Sequence, residues 1–272
     1  MGISIQPLAE ALGARITGID LARPLDARTV SDIKAAWLKY LVLIFPGQEL
    51  DEAAQIRFSD YLGDRGVRRP LMLISNIREN GEPIGSLPDG EMMYHSDAAH
   101  LEQPYKYTLL YALEIPSVGG NTLYANLYKA YEMLPDDLKA RVADLEVVHR
   151  YHDGATLVAK NPTTKVAGRI SRPLLLAHSE SGRTVLFVSR LMTERIVGLA
   201  RAESDALLEQ LFEAAERPEV IYEHVWTPGD VVMWDNRCTN HARTDFPPGE
   251  RRLLRRTTVN ADAPYRGLPP SG

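Results

Sequence analysis

The stretch Gly229-Asp230-Val231-Val232-Met233-Trp234-Asp235-Asn236-Arg237, with His241 four residues beyond it, sets the reading of the fold. Its apolar run is too short for an ordinary helix and is bounded by turn-forming residues, so Asp230 to Trp234 reads as a strand. Working outward, Arg252 to Val259 and Val220 to Trp226 have the same character. Further strands are expected at Leu174 to His178, Thr184 to Ser189, Glu146 to Tyr151, Thr122 to Ala125, Tyr107 to Ile115, Leu71 to Ile77 and Leu41 to Phe45. Two short extended segments, Ile3 to Leu8 and Ala14 to Ile19, open the chain. Helices punctuate this series at Val30 to Lys39, from Asp51 as a cap to near Gly63, around Lys129 to Leu134, at Asp136 to Leu145 and at Ala202 to Glu216. Many short strands with segregated helices predict a mainly β fold with flanking helices, a β-sandwich or jelly roll.

The 272 residues show no internal repeat, low-complexity tract or linker, and residues 1–272 are read as a single domain. Gly66 to Tyr94 and Asp153 to Arg169 are poor in periodic signal and are the lid candidates. With 31 basic against 36 acidic residues the net charge is −5, which disfavours nucleic acid and anionic membrane and leaves a small-molecule partner. Cys238 is the one cysteine, so no intrachain disulfide can form, as in a reducing cytoplasm. Glu10 interrupts the N-terminal region, Gln6 stands where a myristoylation signal wants Ser or Thr, and the longest aliphatic and aromatic run, Tyr40 to Phe45, is far too short to span a bilayer. A soluble cytoplasmic protein is expected.

Tyr94-His95-Ser96-Asp97 puts an imidazole and a carboxylate two residues apart, on the same face of an extended chain. A third ligand has to come from elsewhere, and His241, just after the Val231 to Trp234 run, is placed for a neighbouring strand to deliver it. Two histidines and one aspartate cover one face of an octahedral ion and leave positions open for a chelating cosubstrate and O2, a ligand set that suits Fe(II). An isolated His-x-Asp is common by chance, and His100, three residues after Asp97, is a rival ligand. The remaining histidines, among them His149, His178 and His224, read as ordinary polar or packed residues.

In Gly249-Glu250-Arg251-Arg252-Leu253-Leu254-Arg255-Arg256 four arginines could form a nucleic-acid or targeting patch, but the acidic balance opposes it. On a strand, Arg252, Leu254 and Arg256 share one face and Arg251, Leu253 and Arg255 the other. One face thus carries two guanidinium groups inward, which is costly unless an anion such as a dicarboxylate meets them.

With these stretches, Phe45-Pro46-Gly47-Gln48 and Pro116-Ser117-Val118-Gly119-Gly120-Asn121-Thr122-Leu123 complete a pattern in order and spacing from about residue 5 to residue 260. The chain resembles the taurine dioxygenase and 2,4-dichlorophenoxyacetate dioxygenase group of Fe(II)- and 2-oxoglutarate-dependent oxygenases. The resemblance implies a double-stranded β-helix, a jelly roll, with His95, Asp97 and His241 as iron ligands and 2-oxoglutarate and O2 as cosubstrates. It implies that Thr122 and Arg252 bind 2-oxoglutarate and that Arg256 faces its C1 carboxylate or an acidic group on the substrate. Arg68, Asn76 and Glu91 are, with Arg256, the candidates for substrate contact. Tyr94 stands where relatives often carry Trp, and Glu91 would sit poorly beside a sulfonate, which counts against taurine. The implied reaction hydroxylates a small organic acid, a carboxylate or sulfonate, and releases succinate and CO2. A metal-dependent hydrolase on the same three ligands and a noncatalytic jelly-roll binding module are the competing readings. Relatives are commonly dimers or tetramers, and a homodimer or homotetramer is expected.

Overall fold

The computed structural model describes residues 2–63, 71–87, 90–152 and 166–268. Val231–Asp235 is a strand with all five residues buried, and it lies in the middle of a seven-stranded sheet. Across that sheet the order is Ser4–Pro7, Ala14–Thr17, Val42–Phe45, Val231–Asp235, Tyr105–Glu114, Leu253–Asn260 and Met72–Ser75. Every pair is antiparallel except Ala14–Thr17 with Val42–Phe45. A smaller antiparallel sheet runs Ile221–His224, Thr122–Asn126, Thr239–Arg243, Met92–His95.

The apolar run is unbroken because both faces of its sheet are covered. Val232 and Trp234 join Val42, Ile44, Leu110 and Leu254 in a core shared with Tyr124 and Ala125 of the smaller sheet. Val231 and Met233 point the other way, into a second core with Trp37 and Phe58 of the helices Ala27–Tyr40 and Glu52–Asp60. Each helix starts at an aspartate: Asp26 accepts from the Thr29 amide and Asp51 from the Ala54 amide, both at 2.7 Å. Arg255 lies on this second face, bonded to Gln55 Oε1 at 2.7 Å and Leu50 O at 2.6 Å. Arg251 is exposed and pairs with Glu114.

Successive strands cross between the sheets. Tyr105–Glu114 is in the large one and Thr122–Asn126 in the small one; Ile221–His224, Val231–Asp235, Thr239–Arg243 and Leu253–Asn260 then alternate small, large, small, large. This is the expected jelly roll, with helices outside. Helix Arg201–Ala215 closes one side through Leu207, Leu208 and Leu211. Among the described residues no helix is long and apolar enough to cross a membrane.

Among the described residues seven strands go beyond the expected set: Met92–His95, Val166–Pro173, Thr193–Ile196 and Thr239–Arg243, and the two-residue strands Arg78–Glu79, Glu82–Pro83 and Arg266–Gly267. The lid candidates are therefore partly sheet. The first contains Met72–Ser75, a hairpin around Asn80-Gly81 and Met92–His95, with 66–70 and 88–89 outside the described residues. In the second, 153–165 lie outside them and Val166 begins a strand paired with Glu146–His152.

Candidate metal centre

Thr239–Arg243 and Met92–His95 pair so that His241 lies directly across from His95, with ring centroids 4.1 Å apart. The strand ends at His95, and a turn that begins at Asp97 brings its carboxylate to both rings. Its Oδ1 is 3.9 Å from His95 Nε2 and 4.0 Å from His241 Nε2. These gaps exceed a hydrogen bond and leave room for one ion among the three donors, which all lie within 4.8 Å of one another. The other carboxylate oxygen is occupied: Thr108 Oγ1 donates to Asp97 Oδ2 at 2.6 Å and accepts from Asn236 Nδ2 at 2.9 Å. Asn236 is fixed by Trp234 Nε1, which donates to its Oδ1 at 3.0 Å. His95 Nδ1 donates to Met93 O at 2.9 Å, leaving Nε2 to face Asp97.

Protonation states agree with ligation. Burial raises the Asp97 carboxyl, but His241, Arg256, His95 and the Thr108 hydroxyl outweigh it and hold it at about 2. Burial pushes His241 down to about 3, with His95 adding to the shift, and burial lowers His95. Two neutral imidazoles and one ionised carboxylate are the forms in which these side chains bind a metal.

The centre opens into a cavity of about 400 Å³ between the two sheets, the size of a small-molecule site. Arg252 is at its wall, 2 % exposed, with Nη2 donating to Gly120 O at 3.2 Å. Burial, and then the neighbouring Arg243, push its guanidinium down to about 9. Gly120 is needed there, because a Cβ would lie 3.2 Å from Arg252 Nε and φ is +65°. Thr122 Oγ1 accepts from Trp226 Nε1 at 3.0 Å, which leaves its own hydrogen to donate to an anion. Arg256 is half-buried, 3.7 Å from Asp97 Oδ1, and lines the same cavity.

The remaining expected residues fall elsewhere. Asn76 does not line the cavity: its Nδ2 donates to Glu250 O at 2.8 Å and its Oδ1 accepts from the Arg252 amide at 2.9 Å, so it holds the arginine strand in place. Glu91 is exposed and off the cavity wall, which removes the sequence argument against a sulfonate. Arg68 and Arg69 lie outside the described residues. His100 lines the cavity but stands apart from the His95, Asp97, His241 group and stacks on Tyr151 at 5.3 Å.

A second buried group, His178, Asp235 and Cys238, has donor atoms equally close together. Two of its members are already engaged: His178 Nδ1 accepts from the Ser181 amide at 3.1 Å, so Nε2–H donates to Asp235 Oδ2 at 3.1 Å, and Arg237 occupies both Asp235 oxygens. It is a structural ion-pair network. Three residues of the site were not anticipated as such: Thr108, Asn236 and Arg243. Asn236 sits in the quoted 229–237 motif, and Arg243 shares the face of His241 by simple strand alternation.

Comparison with known proteins bears on this arrangement directly. The family described as "Taurine catabolism dioxygenase TauD, TfdA family" matches residues 4–258. The chain is 35% identical to the (S)-phenoxypropionate/alpha-ketoglutarate-dioxygenase of Sphingobium herbicidovorans, over 95% of each. It is 30% identical to the alpha-ketoglutarate-dependent 2,4-dichlorophenoxyacetate dioxygenase of Cupriavidus pinatubonensis, over 97% of this chain and 99% of that one. The crystal structure of a taurine dioxygenase from Burkholderia xenovorans superposes with a TM-score of 0.82 at 34% identity, covering 97% of this chain and 93% of that one. Sequence, fold and the His-Asp-His cluster thus converge, and the chain belongs to the TauD/TfdA family of 2-oxoglutarate-dependent dioxygenases.

Proposed function

We propose that His95, Asp97 and His241 hold Fe(II), that Arg252 and Thr122 bind the distal carboxylate of 2-oxoglutarate, and that the enzyme hydroxylates a small organic acid with an apolar body. The observation that carries this reading is one cavity holding the ligand cluster, the buried Arg252 beside Thr122, and an apolar wall that includes Met72, Ile74, Met92 and Tyr151. When bound, the iron couples decarboxylation of 2-oxoglutarate to O2 use, so that substrate C–H, O2 and 2-oxoglutarate give C–OH, succinate and CO2. The protein's part is to bind, orient and keep water out. Thr108 aims Asp97 Oδ1 at the histidines, and Arg256 presents a cation beside the centre to an acidic group on the substrate.

The names of the relatives point to aryloxy acids, phenoxypropionate and 2,4-dichlorophenoxyacetate, and a cavity that joins arginine to thioether, aliphatic and phenol side chains suits such a molecule. The test is O2 uptake and succinate formation with Fe(II) and 2-oxoglutarate across aryloxyalkanoates, fatty acids, alkyl sulfonates and neutral analogues. At least one organic anion is expected to stimulate turnover about tenfold or more; stimulation only by neutral or cationic compounds would overturn the class. A hydrolase on the same three ligands leaves Arg252, Arg256 and Thr122 without a role, and a noncatalytic binding module would form no succinate in this assay.

The same reading takes residues 1–272 as one catalytic domain, because both sheets line the one cavity. It takes the protein to be cytoplasmic, in keeping with a single buried cysteine, and a homodimer or homotetramer, as the family resemblance implies. Light scattering at micromolar concentration checks the assembly, and a monomer throughout would remove that part.

A further inference from the structure

We propose that Trp226 is a positioning residue for the cosubstrate: its indole N–H occupies the acceptor side of the Thr122 hydroxyl, so that Thr122 meets the distal carboxylate as a donor. The inference rests on the 2-oxoglutarate reading above. Trp226 is 5% exposed and belongs to the core rather than to the cavity wall, so it acts through Thr122 and not on the ligand. Its Nε1 donates to Thr122 Oγ1 at 3.0 Å. An indole nitrogen only donates, so the Thr122 hydrogen has to be directed to another acceptor. The Tyr124 hydroxyl, buried on the same face of the strand Thr122–Asn126, is a neutral acceptor within its reach. A carboxylate is charged and draws that hydrogen more strongly.

The indole itself is held from behind. Thr122 is paired in register with His224, and Trp226 follows two residues later. The His224 ring stands edge-on to the indole, with centroids 4.7 Å apart and planes at 84°. His224 Nε2 lies 3.1 Å from Asp230 Oδ2, and the same oxygen accepts from the Thr227 amide at 2.9 Å. The Asp230 amide returns a bond to Thr227 O at 3.0 Å, so the turn after Trp226 is closed from both ends. Asp230 leads directly into Val231–Asp235, and its carbonyl accepts from the Ala112 amide at 2.9 Å. The indole is therefore fastened to the centre of the large sheet while its N–H reaches Thr122 in the small one.

The test is calorimetric binding to the protein loaded with Mn(II), which binds without turnover. The probes are 2-oxoglutarate and oxalate, the latter having only the metal-chelating end. Trp226→Phe keeps a ring and removes the N–H. It is expected to raise the Kd of 2-oxoglutarate about 3- to 10-fold while oxalate and Mn(II) affinities stay within about twofold. Thr122→Val removes the hydroxyl, and in that background Trp226→Phe is expected to change the 2-oxoglutarate Kd by less than about 1.5-fold. A tryptophan that only packs would weaken 2-oxoglutarate equally in both backgrounds, which overturns the proposal, as does an unchanged Kd or equal weakening of both probes. If the Phe variant does not fold, the indole N–H resonances of the Zn(II)-loaded protein decide. The resonance displaced by Thr122→Val is expected to move when 2-oxoglutarate is added and to stay in place with oxalate; no movement, or the same movement with both, overturns the proposal. Failure of the unsubstituted protein to bind 2-oxoglutarate would instead remove the cosubstrate reading.

Discussion

Thr108 decides which oxygen of Asp97 faces the histidines. Its hydroxyl is held between Asp97 Oδ2 and Asn236 Nδ2, so the carboxylate cannot rotate without breaking its buried bond from Thr108. Thr108→Val keeps the shape and removes that constraint, and Fe(II) or Mn(II) affinity is expected to fall about 10- to 100-fold, read by metal titration, with the thermal transition preserved within a few degrees. An unchanged metal Kd would show that Thr108 does not orient the ligand. Asn76 is a parallel case at the arginine strand. Asn76→Ala removes the acceptor of the Arg252 amide, and the KM for 2-oxoglutarate is expected to rise several-fold with metal affinity unaffected. Sequence located His95, Asp97, His241 and Arg252 because each has an ionisable side chain at a telling interval. It could not separate Asn76 from a substrate contact, because an amide that serves backbone atoms and one that serves a ligand look alike in one dimension.

At the scale of elements, the strands that read clearly are those with apolar residues on a buried face. Val231–Asp235 is apolar through four consecutive positions since both its faces are packed. Thr239–Arg243 reads Thr-Asn-His-Ala-Arg and Met92–His95 reads Met-Met-Tyr-His; neither alternates cleanly, because one face of each lines a cavity that mixes polar and apolar side chains. The period-2 signal is thus weakest in the two strands that carry His95 and His241. The loop before Thr122 was legible through its glycines. A Cβ on Gly119 would lie 2.2 Å from Asp245 O with φ at +74°, whereas Gly47, at φ +61°, has nothing within 4 Å. Gly119→Ala is therefore expected to cost about 2–4 kcal/mol, clash and strain together, and Gly47→Ala about 1 kcal/mol. Urea unfolding of both variants checks the order, and equal losses would mean that the Gly119 approach is relieved by movement of the loop.

Across the whole molecule, the buried ionisable groups make stability depend on pH well above the range in which carboxylates titrate. His149 is 1% exposed, packs edge-on against Phe187 and lies within 3.2 Å of Thr193 Oγ1. Burial, and next the charge of Arg172, push its imidazole down to about 3. In the unfolded chain a histidine takes up its proton near pH 6.5. Below that pH the unfolded state binds a proton that the native state refuses, so unfolding becomes easier as pH falls, until the native imidazole also protonates near 3. His95 and His241, also lowered by burial, act in the same direction when no metal is bound. Asp235, held down against its burial by Arg237 and His178, contributes stability that is complete above about pH 4 and is lost only below it. Between pH 6 and 5 the histidines therefore set the slope. In metal-free protein, His149→Gln should reduce that slope by about 1.4 kcal/mol per pH unit, measured as unfolding free energy in urea at half-unit steps. His95 and His241 are common to both proteins and cancel in the difference. Parallel curves for the two proteins across this interval would mean that the His149 site accepts the proton in the folded state, by opening to water around Thr193.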